Sequence, residues 1–282
     1  MTIGEGDGMA GDFGARAEQA GLGAFRGAFQ PARRPTWKEM RFRDRIGLVI
    51  LVGGLVLVVV AAGSSSPVTG LIVLAAFLGF LGLIVFGFKS QTRANVGREL
   101  RFYDRGVAVV GTGGATMVPY RWEEMSVLQE ITKHYRNGRY IRTTYVYTLS
   151  GPGAEASRVK GGTLDGFERP EAWGAEIQQQ VTAVQLPPAL ATIRAGLSLE
   201  FGPFSLNAER LSSGDKSVAW SEVQAIKTER GFLSVKQQGR WLNMTTRAVS
   251  RIPNFFVFRT LADHLVEAAR SSQQHGGAGH RS

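Results

Sequence analysis

A run of 43 residues without one charged side chain, Ile46 to Phe88, constrains this chain more than any other feature. It contains apolar stretches at 46–63 and 68–88, separated by Ser64-Ser65-Ser66-Pro67. As helices these stretches reach roughly 27 Å and 31 Å, close to the roughly 30 Å hydrocarbon core of a bilayer. The sequence therefore predicts an antiparallel transmembrane hairpin within 41–90, with spans at about 46–63 and 68–88.

Basic side chains flank both stretches, whereas the Ser-Pro turn is uncharged. The positive-inside rule then predicts a multi-pass protein of the cytoplasmic membrane with both termini cytoplasmic. A cleaved signal peptide is a second interpretation, disfavoured by the 45 residues that precede the run. A buried hairpin of a soluble domain is a third, disfavoured by the length of the two runs. The flanking basic residues are Arg33, Arg34, Lys38, Arg41, Arg43 and Arg45 before the run, and Lys89, Arg93, Arg98, Arg101 and Arg105 after it.

Composition narrows the chemistry. The chain has no cysteine, which excludes disulfides, thiolate nucleophiles and cysteine-ligated metals. Its four histidines show no metal-ligand spacing, and no phosphate loop or nucleophile motif occurs, so neither a cofactor, a metal nor catalytic residues are expected. The net charge of +10 favours acidic partners. Nucleic acid is not expected among them, because no nucleic-acid-binding motif accompanies the charge.

The remainder after residue 97 alternates like β-strands and contains two amphipathic helices, near 170–184 and 254–270, the second with Asn254 as its expected N-cap. Trp122-x-Glu124 recurs as Trp220-x-Glu222, 98 positions later, with strands before and after it and a helix last. This echo predicts two tandem modules. The expected domains are a disordered tail at 1–40 with a basic juxtamembrane end, the hairpin at 41–90, a first module at 97–185, a linker at 186–196, a second module at 197–271 and a disordered tail at 272–282.

Three segments carry a resemblance to known proteins: Leu100 to Gly106, Tyr120 to Glu124 and Ile252 to Phe258. With the order of strands and helices, they resemble a pleckstrin-homology-like fold and an uncharacterised family of actinobacterial two-span membrane proteins. The resemblance implies an α+β fold: a transmembrane helical hairpin followed by two tandem pleckstrin-homology-like β-modules, each closed by a C-terminal helix. It implies no known activity.

One hairpin suggests a binding surface. Asn137-Gly138 is a strong two-residue hairpin signal, and as the turn it places Arg136 opposite Arg139, Tyr135 opposite Tyr140 and Lys133 opposite Arg142. Opposed like charges are destabilising, and an anion would relieve them. The candidate contact for anionic lipid is therefore Lys133, Arg136, Arg139 and Arg142. A solvated hairpin tip is the alternative. The matching turn of the second module, 229–231, is expected not to matter.

These observations predict a non-enzymatic, membrane-surface or protein-interaction module. Its expected partners are the lipid bilayer and either anionic lipid headgroups or an unknown protein; its oligomeric state is left open. One alternative is a structural or oligomeric membrane scaffold that acts through its spans. Another is a cryptic enzyme whose chemistry no motif reveals.

Overall fold

The computed structural model describes residues 6–32, 52–53, 56, 96–163 and 166–278. The first half starts with helix α1 and contains two antiparallel sheets, β1-β2-β3-β4 and β5-β6-β7, followed by helix α2. Its elements are α1 (Gly6–Gln19), β1 (Phe25–Phe29), β2 (Glu99–Tyr103), β3 (Gly106–Val110), β4 (Met117–Arg121), β5 (Ser126–Arg136), β6 (Arg139–Gly151), β7 (Ala154–Gly161) and α2 (Pro170–Arg194).

The second half repeats this order with shorter strands. A four-stranded sheet, β8-β9-β10-β11, is followed by a three-stranded sheet, β12-β13-β14, and by helix α3. Its elements are β8 (Leu199–Phe201), β9 (Phe204–Leu206), β10 (Arg210–Ser213), β11 (Lys216–Ala219), β12 (Val223–Glu229), β13 (Phe232–Gln237), β14 (Asn243–Ala248) and α3 (Phe255–Ala278).

The two tryptophans of the sequence echo occupy matching places. Trp122 follows the last strand of the first four-stranded sheet and Trp220 follows the last strand of the second, and both side chains are buried. The predicted apolar helix faces pack inward, with Trp173 and Ile177 buried in α2 and Phe258 buried in α3. These side chains belong to one hydrophobic core that extends through both halves. Burying large aromatic groups is the main stabilising contribution available to such short strands.

The expected transmembrane part of the fold class is corrected by the structure. No helix among the described residues is both long and apolar enough to cross a membrane. α2 and α3 have 25 and 24 residues, but their exposed faces carry charges such as Glu171 in α2 and Asp263 in α3. A span requires about 20 successive residues that are predominantly apolar, whereas these helices have one face for the core and one for water.

The same finding overturns the expected integral, multi-pass membrane location and the scaffold that would act through its spans. The two segments on which those expectations rest, 46–63 and 68–88, lie outside the described residues apart from the helical Val52, Gly53 and Val56.

The N-terminal tail expected to be disordered is in part structured. α1 packs through the buried Phe13 and Ala17, and β1 adds the outermost strand of the first sheet, with Phe29 opposite Leu100 of β2. The guanidinium of Arg101 lies 5.0 Å from the ring centre of Phe13 and 4.6 Å from that of Phe25. The tail was expected to be disordered because it is rich in glycine. Its few apolar and aromatic residues that pack into the fold do not change this overall composition.

The expected linker at 186–196 and the tail after 271 are also corrected. α2 continues to Arg194 although Pro187 and Pro188 lie inside it, because Ala189 and Ile193 are buried in the shared core. Tertiary packing thus overrides the loss of two helical N–H donors. α3 likewise continues to Ala278.

Candidate binding groove between the two halves

The β5–β6 hairpin carries the predicted lipid contact, and part of its predicted register is confirmed. Asn137 and Gly138 form the turn with φ of 51° and 73°, as a two-residue hairpin of this type requires. Arg136 lies opposite Arg139 and Tyr135 opposite Tyr140. The two tyrosine rings meet edge to face with centroids 6.0 Å apart.

The predicted pair of Lys133 and Arg142 is wrong. An irregularity next to Tyr135 adds Ile141 to β6, so Lys133 lies opposite Thr143 and His134 lies opposite Arg142. Successive residues of a strand point to opposite faces. Lys133 and Arg142 therefore project from opposite faces of the hairpin, and the four predicted contact residues do not share one basic face.

Lys133 instead lines a groove between the two halves, with a volume of about 970 Å³. β5 forms one wall, the β12–β13 turn and the end of β14 form the other, and the start of α3 closes the bottom. Three lining side chains are apolar yet exposed: Ile131 at 43%, Phe232 at 52% and Phe256 at 40%. The charged lining residues are Glu130, Lys133 and Arg230.

Arg230 lies in the turn at 229–231, which was expected not to matter for binding. Arg230 and Gly231 line the same groove as Lys133. Arg230 has a φ of 51°, which directs the chain through a tight turn. The sequence analysis also missed Phe232 and Phe256. One signal was present: in the pair Phe255-Phe256 at the start of an amphipathic helix, both rings cannot belong to the same buried face.

Asn254 directly precedes the groove residues Phe255 and Phe256 and hydrogen-bonds to β5. The Val127 N–H donates to Asn254 Oδ1 at 2.7 Å, and the Asn254 N–H donates to the Val127 carbonyl at 2.9 Å. Asn254 Nδ2 also donates to Gln185 Oε1 at 2.7 Å and to the Met125 carbonyl at 3.1 Å. Asn254 was expected to cap α3 with its side chain. The side chain instead joins the second half to the first.

Tyr147 of β6 is buried in the hydrophobic core. Burial raises the pKa of Tyr147, whose hydroxyl accepts a hydrogen bond from Gln178 Nε2 at 2.6 Å. A neutral tyrosine is a poor base at physiological pH. Among the described residues, no group of three histidine, aspartate or glutamate side chains is placed to hold a metal ion. The groove offers apolar contact, basic charge and strand backbone.

A family model matches residues 9–274, nearly the whole chain. The chain belongs to the DUF6585 family of unknown function. The DUF6585 match covers both halves and the groove between them, and it assigns neither a source organism nor a membrane topology. No curated protein and no solved structure gives a significant match. The pleckstrin-homology-like assignment of the two modules therefore stays a prediction.

Proposed function

We propose that this chain is a non-enzymatic binding protein that takes an acidic segment of a partner polypeptide into the groove between its two halves. The observation that carries the proposal is the composition of the groove: exposed apolar side chains from both halves lie beside Lys133 and Arg230.

The apolar part supplies the contact area. Ile131, Phe232 and Phe256 are each large, and each keeps about half of its surface in water. Exposed apolar side chains are ordinary when scattered, but grouped along one concavity they are typical of binding sites. Covering them releases roughly 25 cal/mol for each square ångström of apolar surface removed from water.

The charged part favours an acidic partner. Lys133 and Arg230 outnumber Glu130 within the groove. Complementary charge at a partly exposed surface mainly raises the association rate and suppresses wrong partners. We therefore expect specificity for acidic segments and strong salt dependence.

Anionic lipid headgroups are the other partner considered for this hairpin. The register places Arg136, Arg139 and Arg142 on one face of the hairpin and Lys133 on the other. A flat headgroup layer on the three arginines would therefore leave Lys133 and the apolar groove side chains uncovered. A narrow polypeptide segment needs only the residues on the groove side. The observations thus favour a polypeptide, and lipid binding becomes an outcome of the test.

The test is a selection of random displayed peptides on the full-length chain, followed by fluorescence polarisation of the enriched sequences. We expect acidic peptides with interspersed apolar residues. Their binding should weaken at least about tenfold in the double variant Lys133→Glu/Arg230→Glu, and should persist in the matched variant Lys216→Glu/Arg240→Glu, whose lysine and arginine are exposed outside the groove.

Three results would overturn the proposal. The first is that no acidic peptide is enriched. The second is that the enriched peptides bind both double variants equally. The third is that the chain binds phosphatidylglycerol vesicles but no acidic peptide, with the Lys133→Glu/Arg230→Glu change abolishing vesicle binding. Phosphatidylcholine vesicles serve as the uncharged comparison.

A further inference from the structure

We infer that the bound segment, if it occupies the groove as proposed above, binds as an additional β-strand along the outer edge of β5. β5 is an outermost strand of its sheet, since the strand order is β5-β6-β7. An outermost strand presents a row of backbone donors and acceptors to any extended chain that reaches it.

The outer groups of β5 follow from Val127. In an antiparallel strand, alternate residues direct both their N–H and C=O groups to the same side. Val127 directs both groups away from β6 to Asn254, and the register is regular from Val127 to His134. Gln129, Ile131 and Lys133 therefore direct their backbone groups to the same outer side as Val127.

These outer groups face the groove. Gln129, Ile131 and Lys133 all line it. Within the described part of the chain, no backbone hydrogen bond from another element reaches them. A strand placed there would have up to six N–H and C=O groups of the protein as partners, because each of the three residues offers one donor and one acceptor.

Asn254 determines where the added strand begins. Its backbone N–H and side-chain oxygen already occupy the outer groups of Val127, so a partner segment cannot extend past that residue. The part of this edge that lines the groove runs from Gln129 to about Tyr135, where the irregularity in register begins, and residues 249–251 approach β5 from the opposite wall. Seven residues of a strand span roughly 23 Å, which limits the recognised segment to about that length.

The side chains of the segment alternate between two environments. Every second residue faces the side of β5 on which Ile131 and Lys133 lie, and the residues between them face away. The groove lining offers Ile131 and Phe256 as apolar contacts, Lys133 and Arg230 as basic ones and Glu130 as an acidic one. The inferred recognition pattern is an acidic and an apolar residue two positions apart, without proline at the paired positions.

The experiment uses the tightest acidic peptide from the selection and a series of its backbone N-methylated forms. An N-methyl group removes one N–H donor and blocks approach to a strand edge. Methylation should weaken binding at least about tenfold at alternate positions and have little effect at the positions between. Amide hydrogen exchange of the full chain should be slower at Gln129, Ile131 and Lys133 in the complex than in the free chain.

The outcomes separate this inference from the proposed function. A peptide that binds through Lys133 and Arg230 but tolerates methylation at every position, with Gln129, Ile131 and Lys133 unprotected, would overturn the added strand and leave the groove as the binding site. Loss of binding to every acidic peptide would overturn both. An alternating methylation pattern with protection confined to amides outside β5 would assign the added strand to another edge and overturn the inference.

Discussion

Asn254 hydrogen-bonds both backbone groups of Val127, a residue 127 positions earlier in the chain. The Asn254 side-chain oxygen accepts from the Val127 N–H and the Asn254 backbone N–H donates to the Val127 carbonyl, so that one residue ties the second half of the molecule to the first. The same side chain donates to Gln185 in α2, so that a sheet, a helix and the start of α3 meet at a single amide.

Asn254→Ala should lower the free energy of unfolding by about 2–4 kcal/mol. The substitution leaves the Val127 N–H and the Gln185 carbonyl oxygen without their partner, and each buried unpaired group costs about 1–3 kcal/mol. Urea unfolding of the full chain measures the effect. Because Asn254 has a φ of 48°, Asn254→Gly separates backbone strain from the lost hydrogen bonds, and it should still cost more than about 1 kcal/mol. A loss of less than about 1 kcal/mol in both variants would show that the hydrogen bonds of Asn254 do not stabilise the fold.

Phe258→Ala should destabilise the chain by about 3–5 kcal/mol. Phe258 is fully buried, and its ring lies 5.6 Å from that of Phe201 and 5.0 Å from that of Phe204. The matched control is Phe256→Ala on the same helix, whose ring is exposed in the groove. It should change stability by less than about 1 kcal/mol. Equal losses in the two variants would show that the groove ring belongs to the core.

Stability should fall as the pH rises above about 10, and Tyr147 should contribute to the fall. Burial raises the pKa of Tyr147 above its ordinary value. Near pH 10 the unfolded chain therefore releases the phenolic proton while the folded chain retains it, and unfolding becomes more favourable with rising pH. Tyr147→Phe should flatten this alkaline decline in a series of urea titrations. A slope in Tyr147→Phe identical to that of the unchanged chain would refute the assignment.

Arg136 and Arg139 face each other across the hairpin turn, so reversing one charge should stabilise it. Arg136→Glu or Arg139→Glu should each gain about 0.2–1 kcal/mol, since opposite charges replace like charges at directly opposed positions. The double variant should lose the gain. Amide exchange within β5 and β6 reports the local effect. A double variant as stable as the singles would show that net charge, and not the pair, is responsible.

Proline substitution should distinguish the two edges of β5. The N–H of Ile131 points outward and that of Thr132 points to β6, following the alternation that begins at Val127. Thr132→Pro removes a ladder hydrogen bond and should lower the melting temperature by several degrees, about 2–4 °C for each kcal/mol lost. Ile131→Pro should be tolerated better, as proline is on the free side of an outermost strand. If Ile131→Pro lowered the melting temperature more than Thr132→Pro, the outward-pointing backbone N–H would be that of Thr132 and not that of Ile131.

The sequence correctly predicted those parts of the fold that depend on residues close together in the chain. The Asn137-Gly138 turn, the pairing of Arg136 with Arg139 and the inward face of α2 at Trp173 and Ile177 all follow from local spacing and are confirmed. The extra residue at Ile141 could not be predicted, because an irregularity in register depends on how the hairpin twists against its surroundings.

Neither the groove nor the contact of Asn254 with β5 could be predicted from the spacing of residues along the sequence. Lys133 and Arg230 are 97 positions apart and meet only because the two halves pack together. Asn254 could be assigned a local role from its place before a helix, yet its partner lies in another sheet. The membrane interpretation rested on the length of an apolar run alone. It is contradicted, because no helix among the described residues is long and apolar enough to cross a membrane.

The pairing of Phe29 with Leu100 makes everything between them a single insertion. The 70 intervening residues leave and re-enter the sheet at adjacent strands, so their number contributes a loop-closure cost to folding. Each halving of such a loop recovers only about 0.6 kcal/mol of chain entropy. Shortening the insertion eightfold would thus gain roughly 2 kcal/mol. Because the loop-closure cost changes so little with length, we expect the sheet to tolerate wide variation in the length of the segment between β1 and β2.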